Sequence, residues 1–244
     1  MHPDIAEWPN RMFYPREQLQ PVPLPHQEEP TTAPRVIFIP SQSIQNSSSA
    51  ANSHSRETVN QWALNEGENS LSDKTNLEEA RIVARELMNI YRDSLAPSPS
   101  PLAPGNSTFD PAKTVGVIVP YRNQIAMIRR EIEKLDIPVL QAVSIDTVER
   151  YQGSQRDIII YSFTIRHRYQ LDFLTANCFE EDGRIVDRKL NVALTRARKR
   201  LILTGNEPTL CSNPLFKNLI GYIKEKGGYL PPSGEYKTCK TKAL

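Results

Sequence analysis

Cysteine, glycine and long apolar runs are all scarce in this chain of 244 residues. Its three cysteines, Cys178, Cys211 and Cys239, stand far apart, with no CxxC and no Cys/His pair at metal-ligand spacing. That pattern excludes a zinc ribbon and a disulfide framework, and no metal site is expected. Reduced thiols in an intracellular, cytoplasmic protein are the economical expectation. No apolar run approaches the ~18 residues of a membrane span. The opening stretch MHPDIAEWPNRMFYPREQL has neither a basic n-region nor an apolar h-region, so neither a signal peptide nor a membrane partner is expected. Net charge is only +2, which by itself points to no nucleic-acid partner.

The glycines exclude more. None of the 10 has a second glycine at the spacing of the Walker A pattern GxxxxGK[ST], and none is followed by Lys. No apolar strand ends in an Asp-Glu pair that could hold magnesium, and GxGxxG, HExxH and GxSxG are absent as well. The chain on its own lacks the parts that hold Mg-ATP.

What is abundant is proline, with 20 residues, and hydrophobic content is only 39%, below the usual 45–50% share. Part of the chain is therefore not packed core, and two polar insertions account for it. About 41–74 is rich in Ser, Asn, Gln and Glu, and about 93–111 holds Pro97, Pro99, Pro101, Pro104 and Pro111 among small residues. Both bury too little apolar surface to offset the entropy of ordering.

Around these insertions the pattern is regular. Arg35–Ile39 is a β-rich run stopped by Pro40, and Val115–Val119 (VGVIV) is apolar on both faces, as a central strand of a covered parallel sheet is. Val139–Ile145, Asp157–Phe163 and Leu201–Thr204 are further strand candidates. Asn76, with Glu79 three residues on, predicts a capped helix carrying Leu77, Ala80, Ala84, Leu87 and Tyr91. Ile125, Ile128, Ile132 and Leu135 mark a second helix closed by Pro138, and Leu190, Ala193, Leu194 and Ala197 a third. Pro214 opens a last one ending at Gly227–Gly228. Strands alternating with helices predict an α/β domain with a mostly parallel sheet, whose ligands sit at the strands' C-terminal ends. The polar loop after Ile145 and the residues beyond Val119 lie at such ends. Arg184–Arg200 carries Arg184, Arg188, Lys189, Arg196, Arg198, Lys199 and Arg200 against the single acid Asp187. That run is either a solvated helix face or a ligand surface.

Three blocks decide more than the pattern does. VGVIVPYRNQ (115–124), IDTVERYQGSQRD (145–157) and KLNVALTRARKRLILTGN (189–206) resemble the later motifs of superfamily-one helicases, in order and at ordinary spacing. They are most similar to the branch that includes the nonsense-mediated-decay helicase and the Okazaki-processing helicase-nuclease. MHPDIAEWPNRMFY resembles the segment that follows Gln-Tyr-Arg in that branch. The resemblance covers most of residues 1–226 and implies a second RecA-like domain of the P-loop NTPase fold without its own Walker A, with helices on both faces of the sheet. The expected organisation is an N-terminal segment over 1–33, the domain over 34–226 and a tail over 227–244.

The resemblance also assigns roles. Arg196 corresponds to the arginine that reaches the γ-phosphate of ATP held by a first domain, work suited to a planar, always-charged fork. Gly153, Gln152 and Gln155 correspond to the nucleotide-sensing loop. The branch usually has Glu or Asp at Gln155, and Gln can bond a hydroxyl but cannot neutralise an arginine. Thr147 corresponds to a threonine whose hydroxyl and amide contact the nucleic-acid backbone. Tyr121, Arg122 and Gln124 correspond to the motif lining that path, where Tyr121 either stacks on a base or packs as a half-buried aromatic.

The implied whole is an ATP-dependent DNA or RNA helicase moving 5′ to 3′. ATP and Mg2+ would be held mainly by a first RecA-like domain with Walker A and B, upstream or in trans, and none is expected to be held by this chain alone. The alternatives are a non-catalytic nucleic-acid-binding or interaction module and an inactive truncated fragment.

Overall fold

The computed structural model describes residues 1–21, 33–41, 74–95, 109–151, 154–181 and 183–231. Most of both polar insertions, Gln152, Gly153 and the end of the tail fall outside the described residues. In chain order the elements are α1 (Pro3–Met12), β1 (Val36–Pro40), α2 (Leu77–Leu95), β2 (Val115–Val119), α3 (Arg122–Glu133), α4 (Pro138–Gln141) and β3 (Ser144–Thr147). A 3-10 turn over Val148–Tyr151 leads to β4 (Arg156–Ser162). A second one over Arg168–Gln170 precedes α5 (Leu171–Leu174), then β5 (Cys178–Glu181), β6 (Arg184–Asp187), α6 (Arg188–Leu194), β7 (Ala197–Gly205), α7 (Glu207–Leu210) and α8 (Pro214–Glu225).

Five strands form one parallel sheet in the order β1-β7-β4-β2-β3, and β5 and β6 make a separate antiparallel hairpin. All five residues of VGVIV are buried, because both faces of β2 are covered. Ala80, Val83 and Leu87 of α2 and Ile128 and Ile132 of α3 pack with Val115, Val117 and Val119 on one face. Ile5 and Trp8 of α1, Leu190 and Leu194 of α6 and Leu219 of α8 pack with Phe38, Ile118, Ile159 and Leu203 on the other. The crossover helices sort by direction. Those that carry the chain from β1 toward β3 lie on the α2/α3 face, and the return from β4 to β7 uses the opposite face through α6. A single crossover hand requires that division.

Local chemistry sets the element ends. Asn76 Oδ1 accepts the Glu79 amide at 3.2 Å, while Asn76 Nδ2 donates to the Glu79 carboxylate at 2.8 Å, a reciprocal cap on α2. Pro214 opens α8, and its end closes through Gly227 at φ 71°, with Gly228 N–H bonded to the Ile223 carbonyl.

Two expectations need correction. Val139–Ile145 does not run as one strand, since Pro138 starts a short helix and only Leu140 and Val143, three apart, are fully buried there. Strand β3 starts at Ser144. The third helix likewise ends at Leu194, because the Thr195 hydroxyl bonds back to the Asn191 and Val192 carbonyls. Ala197 already pairs with Arg156 in β7, so Arg198–Arg200 lie on a strand and not at a helix C-terminus.

The N-terminal segment is built into this domain. Trp8 is 2% exposed, its indole donates to Asn218 at 2.9 Å, and the His2 amide bonds the Arg198 carbonyl at 2.8 Å. Past residue 227 the chain lies along β1, with Phe38 N–H bonded to Gly228 and Leu230 N–H to Phe38.

The connection from β3 to β4 is the unusual one. Only residues 148–155 carry the chain back beneath β2 from one sheet edge to the other. Tyr151 anchors this crossing, with its hydroxyl donating to the Ser144 carbonyl at 2.8 Å and its ring seated over Gly116. A Cβ on Gly116 would stand 2.5 Å from that hydroxyl oxygen. Gly116→Ala is therefore expected to cost about 1–3 kcal/mol, read as a lower urea midpoint. Tyr151→Phe, which deletes the clashing oxygen, should cost less in the Gly116→Ala background than in the wild type. Additivity of the two changes within about 0.5 kcal/mol would show that the contact is not made.

Candidate nucleotide and nucleic-acid interfaces

The motif residues divide between opposite edges of the sheet. At the C-terminal edge, β2 runs into Pro120 and Tyr121, and β3 ends at Thr147, which pairs in register with Val119. Tyr121, exposed Arg122 and Thr147 line one cleft of about 660 Å3, joined by Glu149, Arg150 and Phe173. Tyr121 is the extended residue ahead of α3, and its ring stacks on Phe173 with centroids 4.6 Å apart and planes at 20°. Burial, and then the nearby Tyr169, push its phenol above the ordinary value. Tyr121 is 8% exposed, packed against Phe173.

Carboxylates occupy the donors of Thr147. Its amide bonds the Asp146 carboxylate at 2.8 Å, and its hydroxyl bonds Glu149. Lys189 bridges to Glu149 at 3.1 Å and Arg150 to Asp146 at 3.7 Å. Burial alone would raise Glu149. The hydrogen bonds from its own amide, Lys189 and Thr147 outweigh that and hold the group below its ordinary range. Among the described residues Arg122 forms no ion pair.

Gln124 is placed apart from Tyr121, Arg122 and Thr147. Its side chain is fully buried, and both ends of its amide are used by one residue. Oε1 accepts the Asn76 amide at 2.8 Å and Nε2 donates to the Asn76 carbonyl at 2.9 Å. It joins α3 to the cap of α2 and is not among the residues that line the cleft. Behind it lies Glu79, also fully buried. Its carboxylate accepts from Asn76, from the Ser162 hydroxyl at 2.7 Å and from the Thr164 amide at 2.7 Å. Thr164 has φ 60°, a left-handed backbone that a non-glycine residue adopts at a cost, and the Glu79 bond holds it there.

At the N-terminal edge, Gln155 precedes β4 and Arg196 precedes β7. The Arg156 amide bonds the Arg196 carbonyl at 3.1 Å, so the end of the crossing and the LTRAR corner are tied directly. The Arg196 guanidinium is folded back over the last turn of α6, with Nε donating to the Val192 carbonyl at 3.2 Å. Arg198 Nε reaches Gln155 Oε1 at 3.4 Å. Asp157 lies 3.4 Å from Lys199 and 3.9 Å from Arg198.

The structure thus brings Tyr121, Arg122 and Thr147 together, and brings Gln155 and Arg196 together elsewhere. It turns Gln124 inward, and Gln152 and Gly153 lie outside the described residues. Sequence reasoning missed the buried role of Glu79, whose only signal was its place in the cap, and it missed Asp157. Phe173 carried no motif signal at all. Among the described residues no group of three or more His, Cys, Asp or Glu stands where it could hold a metal ion, and no helix is long and apolar enough to cross a membrane.

An all-parallel five-stranded sheet with helices on both faces, carrying these blocks on its loops, defines a RecA-like α/β domain of the superfamily-one helicase type. The chain belongs to the family described as AAA domain, whose model matches residues 1–208. It is similar to the DNA replication ATP-dependent helicase/nuclease JHS1 of Arabidopsis thaliana, 35% identical over 119 residues, 49% of this chain and 8% of that protein. Regulator of nonsense transcripts 1 of Dictyostelium discoideum is 36% identical over 116 residues, 46% of this chain and 8% of that protein. The DNA replication ATP-dependent helicase/nuclease DNA2 of Xenopus tropicalis is 35% identical over 123 residues, 50% of this chain and 11% of that protein. The match thus spans about a tenth of each relative's length.

Burial pushes Glu79 up to about 8, against the opposing pull of its hydrogen bonds and of Arg166. Unfolded, the same group titrates near 4.5. Between those values the folded chain holds a proton that the unfolded chain has lost, so this stabilisation is full below pH ~4.5 and is lost as pH rises toward 8. Glu79→Gln has no proton to lose. The stability advantage of the wild type over this variant, from urea midpoints, should therefore shrink between pH 5 and 8.5. A pH-independent difference would contradict the assignment.

Proposed function

We propose that this chain is the second motor domain of an ATP-dependent superfamily-one helicase acting on single-stranded DNA or RNA. In this reading, Thr147 and Arg122 grip the strand at the C-terminal edge of the sheet. Arg196, with Gln155 beside it, completes at the opposite edge an ATP site whose phosphates and Mg2+ are held by a first domain with Walker A and B. The division of the motif residues between two edges joined by the 148–155 crossing is the observation that supports this most. Relatives described as ATP-dependent helicases are 35% identical to this chain over about half its length.

The chemistry follows from the contacts. Arg196 would exchange the Val192 carbonyl for phosphate oxygens, a trade from neutral to charged acceptors that its fork favours. Gln155 keeps an amide for a ribose hydroxyl because Asp157 neutralises its cationic neighbours. Asp146 and Glu149 sit on Thr147 where phosphate oxygens would bind. Strand binding at this edge is therefore a replacement of one anion by another.

Two measurements test this. The purified chain is expected to hydrolyse no ATP above background, with or without a single-stranded oligonucleotide, and nucleic-acid-stimulated turnover by it would overturn the division of labour. Binding of a single-stranded oligonucleotide should weaken with salt, and Arg122→Ala should reduce the log–log slope by about one. Glu149→Gln, which removes the negative charge beside Thr147 and Lys189, should tighten binding roughly threefold to tenfold at low salt and less at high salt. Weaker binding by Glu149→Gln would mean that Thr147 is not a phosphate contact.

A further inference from the structure

We propose that Tyr169 and Phe173 form a stacking ledge for unpaired nucleobases, beside the phosphate contacts at Thr147 and Arg122. This rests on the reading above and adds to it a base-binding surface carried by residues outside the helicase blocks.

Phe173 and Tyr169 are the large rings left in solvent around the cleft, 42% and 58% exposed. Phe173 covers Tyr121, and the Lys189 ammonium lies over the Phe173 ring, so a base stacking there takes the place of a mobile cation that can swing to the strand's phosphate. Tyr169 stacks in turn on His167, with planes at 10° and centroids 5.6 Å apart. Each exposed ring is thus backed by a second ring that holds it flat. The segment bearing them is fixed from below, since buried Gln170 accepts the amides of Arg166 and His167 at 2.7 and 2.9 Å, and Leu171 and Leu174 are buried in the core. Exposed aromatics on a rigid support lose little entropy when a base stacks on them.

Charge selects the occupant. Lys189 lies over the Phe173 ring, 4.7 Å from its centre, and Arg122 and Arg150 border the same cleft. The acids present, Asp146 and Glu149, already serve Thr147, Lys189 and Arg150. A flat apolar face beside cations fits a polymer of planar bases on an anionic backbone better than an apolar peptide helix, which would bring no charge to meet them.

The test compares two labelled probes by fluorescence anisotropy, a dT 12-mer and an abasic 12-mer of the same backbone. The wild type should bind the dT probe more tightly. Tyr169→Ala and Phe173→Ala should each weaken dT binding by about fivefold to a hundredfold and leave little preference over the abasic probe. Arg122→Ala should weaken both probes alike and keep the preference. Phe173→Trp should keep dT binding, and its added indole emission should be quenched by dT and not by the abasic strand, a readout independent of any folding defect in the alanine variants. Equal affinity of the wild type for the two probes, or alanine variants that bind dT as the wild type does, would overturn the ledge alone. Failure of the wild type to bind either probe would overturn the helicase reading and the ledge with it.

Discussion

Residues 148–155 must bring the chain back past β2 from the C-terminal to the N-terminal edge of the sheet, and that constraint organises both interfaces. Strands β3 and β4 are parallel and both flank β2, so the chain leaves β3 at one edge and enters β4 at the other. The seven residues of β4 alone measure roughly 20 Å, and the Val148–Tyr151 turn advances only about 2 Å per residue. Tyr151 fills the space that Gly116 leaves open and ties the crossing to the start of β3. Thr147 at one end and Gln155 at the other are therefore mechanically linked by a short, anchored segment.

Electrostatics at each end follows one pattern. The cations that would meet phosphate are held by nearby carboxylates, Asp146 and Glu149 at the strand edge and Asp157 at the LTRAR edge. These pairs are partly exposed and contribute little to stability. In the proposed reading their effect is on occupancy, because a phosphate would displace an anion already in place. The surface run Arg184–Arg200 is consequently less basic than its composition alone implies.

The helices and central strands were legible in the sequence because burial there follows simple periods. VGVIV is buried on both faces, and the Asn76–Glu79 pair caps α2 by direct contact. The errors share a cause. PVLQAV is as apolar as a strand, but its two buried residues are three apart. Ala197 fits the helical spacing, yet it pairs with Arg156 in β7, three residues after the helix ends at Leu194. The site was legible as motifs and not as geometry. Tyr121 and Gln124 lie three apart in one block, but one lines the cleft while the other is sealed behind it by Asn76. Contacts between distant segments, such as Ser162 and Thr164 on Glu79 or Phe173 on Tyr121, leave no trace in local spacing.

The most direct test of the two-edge arrangement is a hydrogen-exchange footprint of a single-stranded oligonucleotide on the intact chain. The account predicts slowed exchange over 121–124, 146–150 and 167–174, with residues 155–157 and 196–199 unchanged. A footprint centred on 155–157 and 196–199, leaving the strand C-terminal ends unprotected, would contradict it.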